Sequence, residues 1–246
     1  VILVLGGTSE ARRLAGALHA QSAEVMTSLA GRVSNPRLPD GRVRIGGFGG
    51  PDGLARWLTA HGVTAVVDAT HPFAGRISQS AAQACPAAGV PLLRLERPRF
   101  AERPGDRWTR VAGVEDAAAL LRSRPGHVLL TTGRQGLRAF AQVSECWFLV
   151  RCVDPPDPPL PHRHELLLDR GPYTLAGELE LVDRHRIDIV VTKDSGGHMT
   201  NAKLDAARMR GLSVIVVERP PRPEVETVTT VEEAISWTRA AAGTSP

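Results

Sequence analysis

The chain has 246 residues, 42% hydrophobic and 23% charged, which is enough apolar chain for a packed core and fits neither a fibrous nor a disordered protein. No run approaches the ~18 consecutive apolar residues of a membrane-spanning helix, so no membrane partner is expected. Thirty basic against twenty-six acidic residues give a net charge of +4, with 4% aromatics. That balance favours anionic small molecules over nucleic acid, for which a clustered basic stripe interleaved with aromatics is expected.

In chain order, short β-branched runs alternate with Ala/Arg/Leu-rich helical stretches, the pattern of βα units around parallel sheets. Val1 to Leu5 reads as a buried strand with no charged region before it, so a cytoplasmic protein is expected. Ser9 to Ala20 reads as a helix, followed by strands at Glu24 to Leu29 and Arg42 to Gly46 and a helix from Leu54 to His61. A strand at Ala65 to Asp68, a helix at Ile77 to Ala88 and a strand at Pro91 to Leu95 complete the first half. Residues 97 to 107 carry two prolines and no apolar period, which marks a crossover, and Asp154 to Pro161 (DPPDPPLP) is a stiff surface segment. Cys85, Cys146 and Cys152 form no CxxC pair and are expected to be packing residues, so no metal site is predicted.

The pattern repeats. Residues 63 to 98 align without a gap on 185 to 220, placing Thr70 on Thr192, Gly75 on Gly197, and Leu95-Glu96-Arg97-Pro98 on Val217-Glu218-Arg219-Pro220. Val111 to Ala117 (VAGVEDA) also resembles Val228 to Ala234 (VTTVEEA). The expectation is an α/β protein of two Rossmann-like domains with parallel sheets, 1–98 and 99–246, with ligands in the cleft between them at the carboxyl ends of the strands.

Candidate chemistry clusters at those ends. Gly6-Gly7-Thr8-Ser9-Glu10-Ala11-Arg12 opens the first helix, where exposed amides and the helix dipole can hold a phosphate, although Thr8 replaces the central glycine of the dinucleotide fingerprint. A tight turn capped by Thr8 or Ser9 explains the same residues. About twenty residues on, where an NAD-specific protein presents a carboxylate to the ribose, the sequence runs Ser28-Leu29-Ala30-Gly31-Arg32. With no acid there and Ser28 and Arg32 as donors, NADPH is the better fit, with a turn at Ala30-Gly31 and a solvated Arg32 as the alternative. Thr70 and His71 stand at the next strand end, and Thr192-Lys193-Asp194-Ser195 takes the matching place in the second half. Lysine occurs only at Lys193 and Lys203, so Lys193 is the main candidate for anchoring an anion or giving a proton, with a salt-bridged turn as the alternative. Thr132, Gly133 and Arg134 form a second possible anion seat.

GGTSEAR, SLAGR, DATHPFA and KDSGG, in that order and over nearly the whole chain, resemble the precorrin-6A reductase family of cobalamin biosynthesis. The resemblance implies an NADPH-dependent oxidoreductase that reduces the C18–C19 double bond of precorrin-6A to give precorrin-6B, without metal or flavin. It implies Gly6, Gly7, Thr8, Ser9 and Arg12 at the pyrophosphate, Ser28, Ala30, Gly31 and Arg32 near the 2′-phosphate, and Thr70 and His71 at the nicotinamide. Lys193, Asp194 and Ser195 then serve the tetrapyrrole, with Thr132, Gly133 and Arg134 binding its carboxylates, and neighbouring pathway enzymes are expected as hand-over partners. A non-catalytic NADPH sensor and a non-redox tetrapyrrole enzyme share parts of the pattern.

Overall fold

The computed structural model describes residues 1–31, 38–197 and 200–243. They fall into two compact units, Val1–Pro98 with the C-terminal Pro221–Pro246, and Arg99–Pro220.

The first unit holds strands β1 (Ile2–Leu5), β2 (Val25–Leu29), β3 (Arg42–Ile45), β4 (Ala65–Asp68) and β5 (Leu92–Leu95), with helices α1 (Ser9–Ala20), α2 (Gly50–Ala60) and α3 (Gly75–Ala87). The second holds β6 (Trp108–Val111), α4 (Val114–Leu121), β7 (Gly126–Leu130), a 3-10 helix (Arg134–Phe140), β8 (Cys146–Cys152), β9 (His164–Leu168), α5 (Leu175–Arg184), β10 (Ile189–Lys193), α6 (Ala202–Arg210) and β11 (Ser213–Val217). The chain ends in β12 (Thr227–Val228) and α7 (Val231–Gly243).

Each unit is built on a six-stranded sheet, ordered β12-β5-β4-β1-β2-β3 and β6-β11-β10-β7-β8-β9, and every pairing is parallel. Parallel strands covered on both faces read as continuous apolar runs, and Ile2-Leu3-Val4-Leu5 is buried throughout for that reason. Ile2, Val4, Val67 and Leu93 meet Leu14 and Leu18 of α1 and Val231 and Ala234 of α7 on one face. Leu3, Leu5 and Val66 meet Leu54, Leu58, Ala81 and Cys85 on the other. In the second unit, Leu129, Leu149, Val190 and Val214 pack on Val182, Leu204 and Ala207. All three cysteines are buried and unbridged.

The first unit's elements follow the sequence pattern closely except at α2, which begins at Gly50 instead of Leu54. Gly49 adopts a left-handed φ of 79° as the N-cap and Pro51 fits the first turn, so Gly49 and Gly50 lead directly into the helix. The proline-rich segment joins β8 to β9 within the second unit.

Two expectations need correction. The second unit ends at Pro220 and does not extend to residue 246. The returning chain supplies the outer strand of the first sheet, with the amides of Arg94 and Glu96 donating to the carbonyls of Glu226 and Val228 at 2.8 and 2.9 Å. In the second sheet β6 takes that outer place beside β11, so VAGVEDA and VTTVEEA lie on equivalent strand-helix pairs, each contributed by chain that follows the other sheet's last inner strand. The gapless alignment also slips at β4. Val66 faces Leu92 while Val190 faces Val214, which makes Asp68 the counterpart of Thr192, and Thr70 that of Asp194. A slip of two keeps every side chain on its own face, so apolar pattern alone does not reveal it.

Candidate functional site

In the first unit the strand order reverses at β1, whose neighbours β2 and β4 are reached by crossovers in opposite directions. That switch point is where open α/β sheets bind ligands, at the carboxyl edge. Gly6 and Gly7 leave β1 there. A Cβ on Gly6 would sit 2.7 Å from Thr27 Cγ2 of the adjoining strand, and Gly7 has φ 116°, so both positions exclude ordinary side chains. The backbone therefore approaches closely at the N-terminus of α1, as a dinucleotide pyrophosphate requires.

Thr8 is the N-cap of α1. Its hydroxyl accepts from the Ala11 amide at 3.0 Å and donates to the Ala69 carbonyl at 2.8 Å, tying the turn to the end of β4. The side chain is buried and used in the cap, which leaves the turn's amides and not this hydroxyl for an anion. Ser9 donates to Glu10 at 3.0 Å, and Glu10 pairs with Arg97 at 3.4 Å, while Arg12 is half-buried on the helix. Thr8, Glu10, Thr70, Pro72, Glu96 and Arg97 line a recess beside this turn.

At the end of β2, Ser28 is buried and its Oγ accepts from Arg44 at 2.8 Å. Ala30 and Gly31 are exposed beyond it, no carboxylate stands in this segment, and Arg32 lies outside the described residues. At the end of β4, Asp68 forms a buried polar hub. It accepts from Thr70 Oγ1 and Ser78 Oγ, each at 2.6 Å, and from Arg222 at 2.9 Å. Thr70 is thereby fixed, and the Phe73 amide donates to His71 Nδ1 at 3.2 Å.

In the second unit, Asp194 is wholly buried. Its Oδ1 accepts from the Phe100 amide at 2.9 Å, Arg110 and Arg99 approach Oδ2 at 3.5 and 3.7 Å, and Arg219 donates to its carbonyl at 2.9 Å. Such a carboxylate fixes a strand end and is enclosed by its own partners. Lys193 beside it is half-buried, and loss of water pushes its pKa below the ordinary lysine value. Ser195 donates its amide to the Lys193 carbonyl at 2.7 Å. The Thr132 hydroxyl is buried with no hydrogen-bond partner among the described residues, Gly133 has φ 73°, and Arg134 reaches Asp154 at 4.0 Å.

The structure thus gathers Gly6 to Ser9 and Thr70 to His71 at one sheet edge, with Ser28 on the strand beside β1, and Thr132 to Arg134 with Lys193 to Ser195 at the corresponding edge of the other sheet. Asp68, Ser78, Arg94 and Arg222 were not legible as a group, because Arg222 lies far along the chain.

A model of the precorrin-6x reductase CbiJ/CobK family matches residues 1–239. The chain belongs to the precorrin-6x reductase family. Among its relatives, the precorrin-6A reductase of Rhodococcus erythropolis is 53% identical over 238 residues, covering 96% of both chains. That of Mycobacterium tuberculosis H37Rv is 50% identical with the same coverage. The cobalt-precorrin-6A reductase of Salmonella typhimurium is 30% identical, covering 89% of this chain and 87% of its own. A solved structure described as CobK precorrin-6A reductase superposes with a TM-score of 0.93 at 43% identity, covering 98% of this chain and 96% of the other. The family makes this chain a reductase, and the paired Rossmann-like sheets are those of its fold.

Proposed function

We propose that this protein reduces precorrin-6A with NADPH, saturating the C18–C19 double bond to give precorrin-6B on the way to the corrin ring of cobalamin. The reading is carried by end-to-end similarity to proteins named precorrin-6A reductase, 53% identical over 96% of both chains. Identities of 44–53% to relatives named for precorrin-6A, against 28–30% to those named for the cobalt form, favour a metal-free macrocycle.

The first unit takes the dinucleotide. The Gly6–Gly7 turn and the first amides of α1 hold the pyrophosphate with Ser9 and Arg12 nearby, and Thr8 contributes by fixing the turn. Ser28, Ala30, Gly31 and Arg32 border the 2′-phosphorylated ribose, where a carboxylate would repel it. Thr70 and His71 flank the nicotinamide side. The reduced nicotinamide, when bound, supplies the hydride. The chain's own task is to position the reacting carbons and exclude water.

The second unit takes the tetrapyrrole. Thr132, Gly133 and Arg134 receive its carboxylates, the buried Thr132 hydroxyl supplying an unused donor. Lys193 orients the macrocycle or gives the proton that completes the reduction, and its burial makes that proton easier to release. Ser195 lies next to it, and Asp194 acts as a positioning residue by holding the strand end. The setting is cytoplasmic, with product handed to the next pathway enzyme.

Anaerobic oxidation of NADPH by the purified protein with precorrin-6A, NADH serving as control and the macrocycle absorbance followed in parallel, tests the reading. NADPH-dependent loss of the precorrin-6A spectrum is the expected result. NADPH binding without reduction would turn the assignment into a sensor, and macrocycle binding that ignores NADPH would turn it into a non-redox enzyme.

A further inference from the structure

Arg44 sits on β3 in register with Ser28 of β2. Its guanidinium donates to Ser28 Oγ at 2.8 Å and to the carbonyls of Gly46 and Gly47 at 3.0 Å each. The guanidinium carbon lies 3.8 Å from the centre of the Phe48 ring, and Phe48 is held edge-on by Trp57 at 5.3 Å. The planar fork is therefore fixed in orientation before any ligand arrives.

All of these partners are neutral. Other shielded arginines near strand ends are matched to acids: Arg222 to Asp68, Arg97 to Glu10, Arg110 to Asp194 and Arg151 to Glu178. Arg44 has no carboxylate partner among the described residues, although it is half-buried and burial lowers its pKa. A partly desolvated cation without a counter-charge is unfavourable on its own and becomes favourable when an anion docks against it. Nε and the second hydrogen of Nη2 have no partner among the described residues, which leaves two donors for that anion.

The position matches a specific anion. In a Rossmann-type sheet the end of the second strand meets the adenosine ribose, and its neighbourhood decides between a 2′-hydroxyl and a 2′-phosphate. We propose that Arg44, braced by Ser28 and Phe48, recognises the 2′-phosphate of NADPH and sets the preference for NADPH over NADH. This assignment rests on the NADPH reading above, and it gives the selecting charge to β3, a strand that the dinucleotide fingerprint does not include.

The test is equilibrium binding of NADPH and of NADH to the wild-type protein, Arg44→Gln and Arg44→Met. Gln retains amide donors near Ser28, and Met retains a stem against Phe48, so either variant that keeps the wild-type circular dichroism spectrum serves. The NADPH dissociation constant is expected to rise about ten- to a hundredfold, the loss of a charge-assisted contact, with NADH changed less than about twofold. A variant that keeps the wild-type NADPH preference overturns the role of Arg44 and leaves the NADPH reading intact. A wild-type protein that binds neither cofactor, or both equally, overturns the NADPH reading and this proposal with it.

Discussion

Arg222 places its guanidinium 2.9 Å from Asp68 Oδ2 across 154 residues of sequence, and both side chains are almost fully shielded, at 6% and 2% exposure. Asp68 ends β4 and Arg222 stands in the returning segment, so this buried ion pair, with Glu96 3.8 Å from the same guanidinium, ties the C-terminal chain to the first sheet. Ser78 and Thr70 also donate to the carboxylate, and Arg94 approaches it at 3.9 Å. Truncating Arg222 takes away the cation nearest to the buried carboxylate and leaves the more distant Arg94, a loss of about 3 kcal/mol. Arg222→Ala should lower the unfolding free energy in urea by that order, and the double variant Asp68→Asn/Arg222→Met should recover part of it. A loss below about 1 kcal/mol for Arg222→Ala would place the pair among weak surface contacts.

The outer strand β12 shields the edge of β5. A chain cut after Pro220 lacks that strand and also Val231 and Ala234 of α7, which pack against Leu14 and Leu18. Hydrogen exchange should then show the Arg94 and Glu96 amides unprotected, since their acceptors Glu226 and Val228 are gone. Protection equal to that of the full chain would mean that β5 needs no partner on that side.

Thr8→Ala removes both the cap bond to Ala11 and the tie to Ala69. The expected cost is about 1–2 kcal/mol of stability, and Thr8→Ser should restore most of it because the hydroxyl is retained. Thermal denaturation of the two variants measures the difference, and equal melting temperatures for Ala and wild type would remove the cap from the account.

Burial, reinforced by the nearby Asp68 carboxylate, pushes the Cys85 thiol up to about 12 from an ordinary 9.0. The unfolded chain therefore loses this proton first. Cys85 contributes its full stability below pH 9.0, and that contribution disappears as pH rises from 9.0 towards about 12. Urea midpoints at about pH 8 and about pH 10.5 should differ more for the wild-type protein than for Cys85→Ala. Native protein should also resist thiol alkylation at mildly alkaline pH, as burial raises Cys146 and Cys152 as well.

Burial lowers the pKa of Lys193, so the ammonium loses its proton at a pH below the ordinary 10.5. If the ammonium is the working form, turnover falls on the alkaline side with a limb below that value. Lys193→Arg, which stays charged, should abolish the limb, and Lys193→Ala should reduce kcat by about a hundredfold or more with little change in NADPH affinity. An alkaline limb that survives in Lys193→Arg would assign it to another group.

The strand-helix order and the glycine turn were legible because they are written in local patterns. An apolar run such as Ile2 to Leu5 followed by glycines, and a helix with Leu14 and Leu18 on one face, specify their own conformation over a few residues. Thr70, His71 and Lys193 were legible as strand-end residues, and the structure puts them at strand ends. Arg44 is not legible in this way, because Arg42-Val43-Arg44-Ile45 reads as an ordinary edge strand and the bond to Ser28 exists only once β3 lies beside β2. Asp194 looked like a partner for Lys193 in sequence, yet its carboxylate turns to the Phe100 amide and Arg110.

By itself, the sequence determined two parallel α/β sheets, the carboxyl-edge turns and the family motifs, since these depend on residues within a few positions of one another. Only the tertiary structure decided that β12 and α7 close the first sheet and β6 and α4 the second, and that β10 stands two residues out of the gapless alignment. Either outer strand can pair with either free edge as far as local pattern is concerned. The choice is made by contacts between distant residues, Arg222 with Asp68 and Arg94 with Glu226, which no local periodicity encodes.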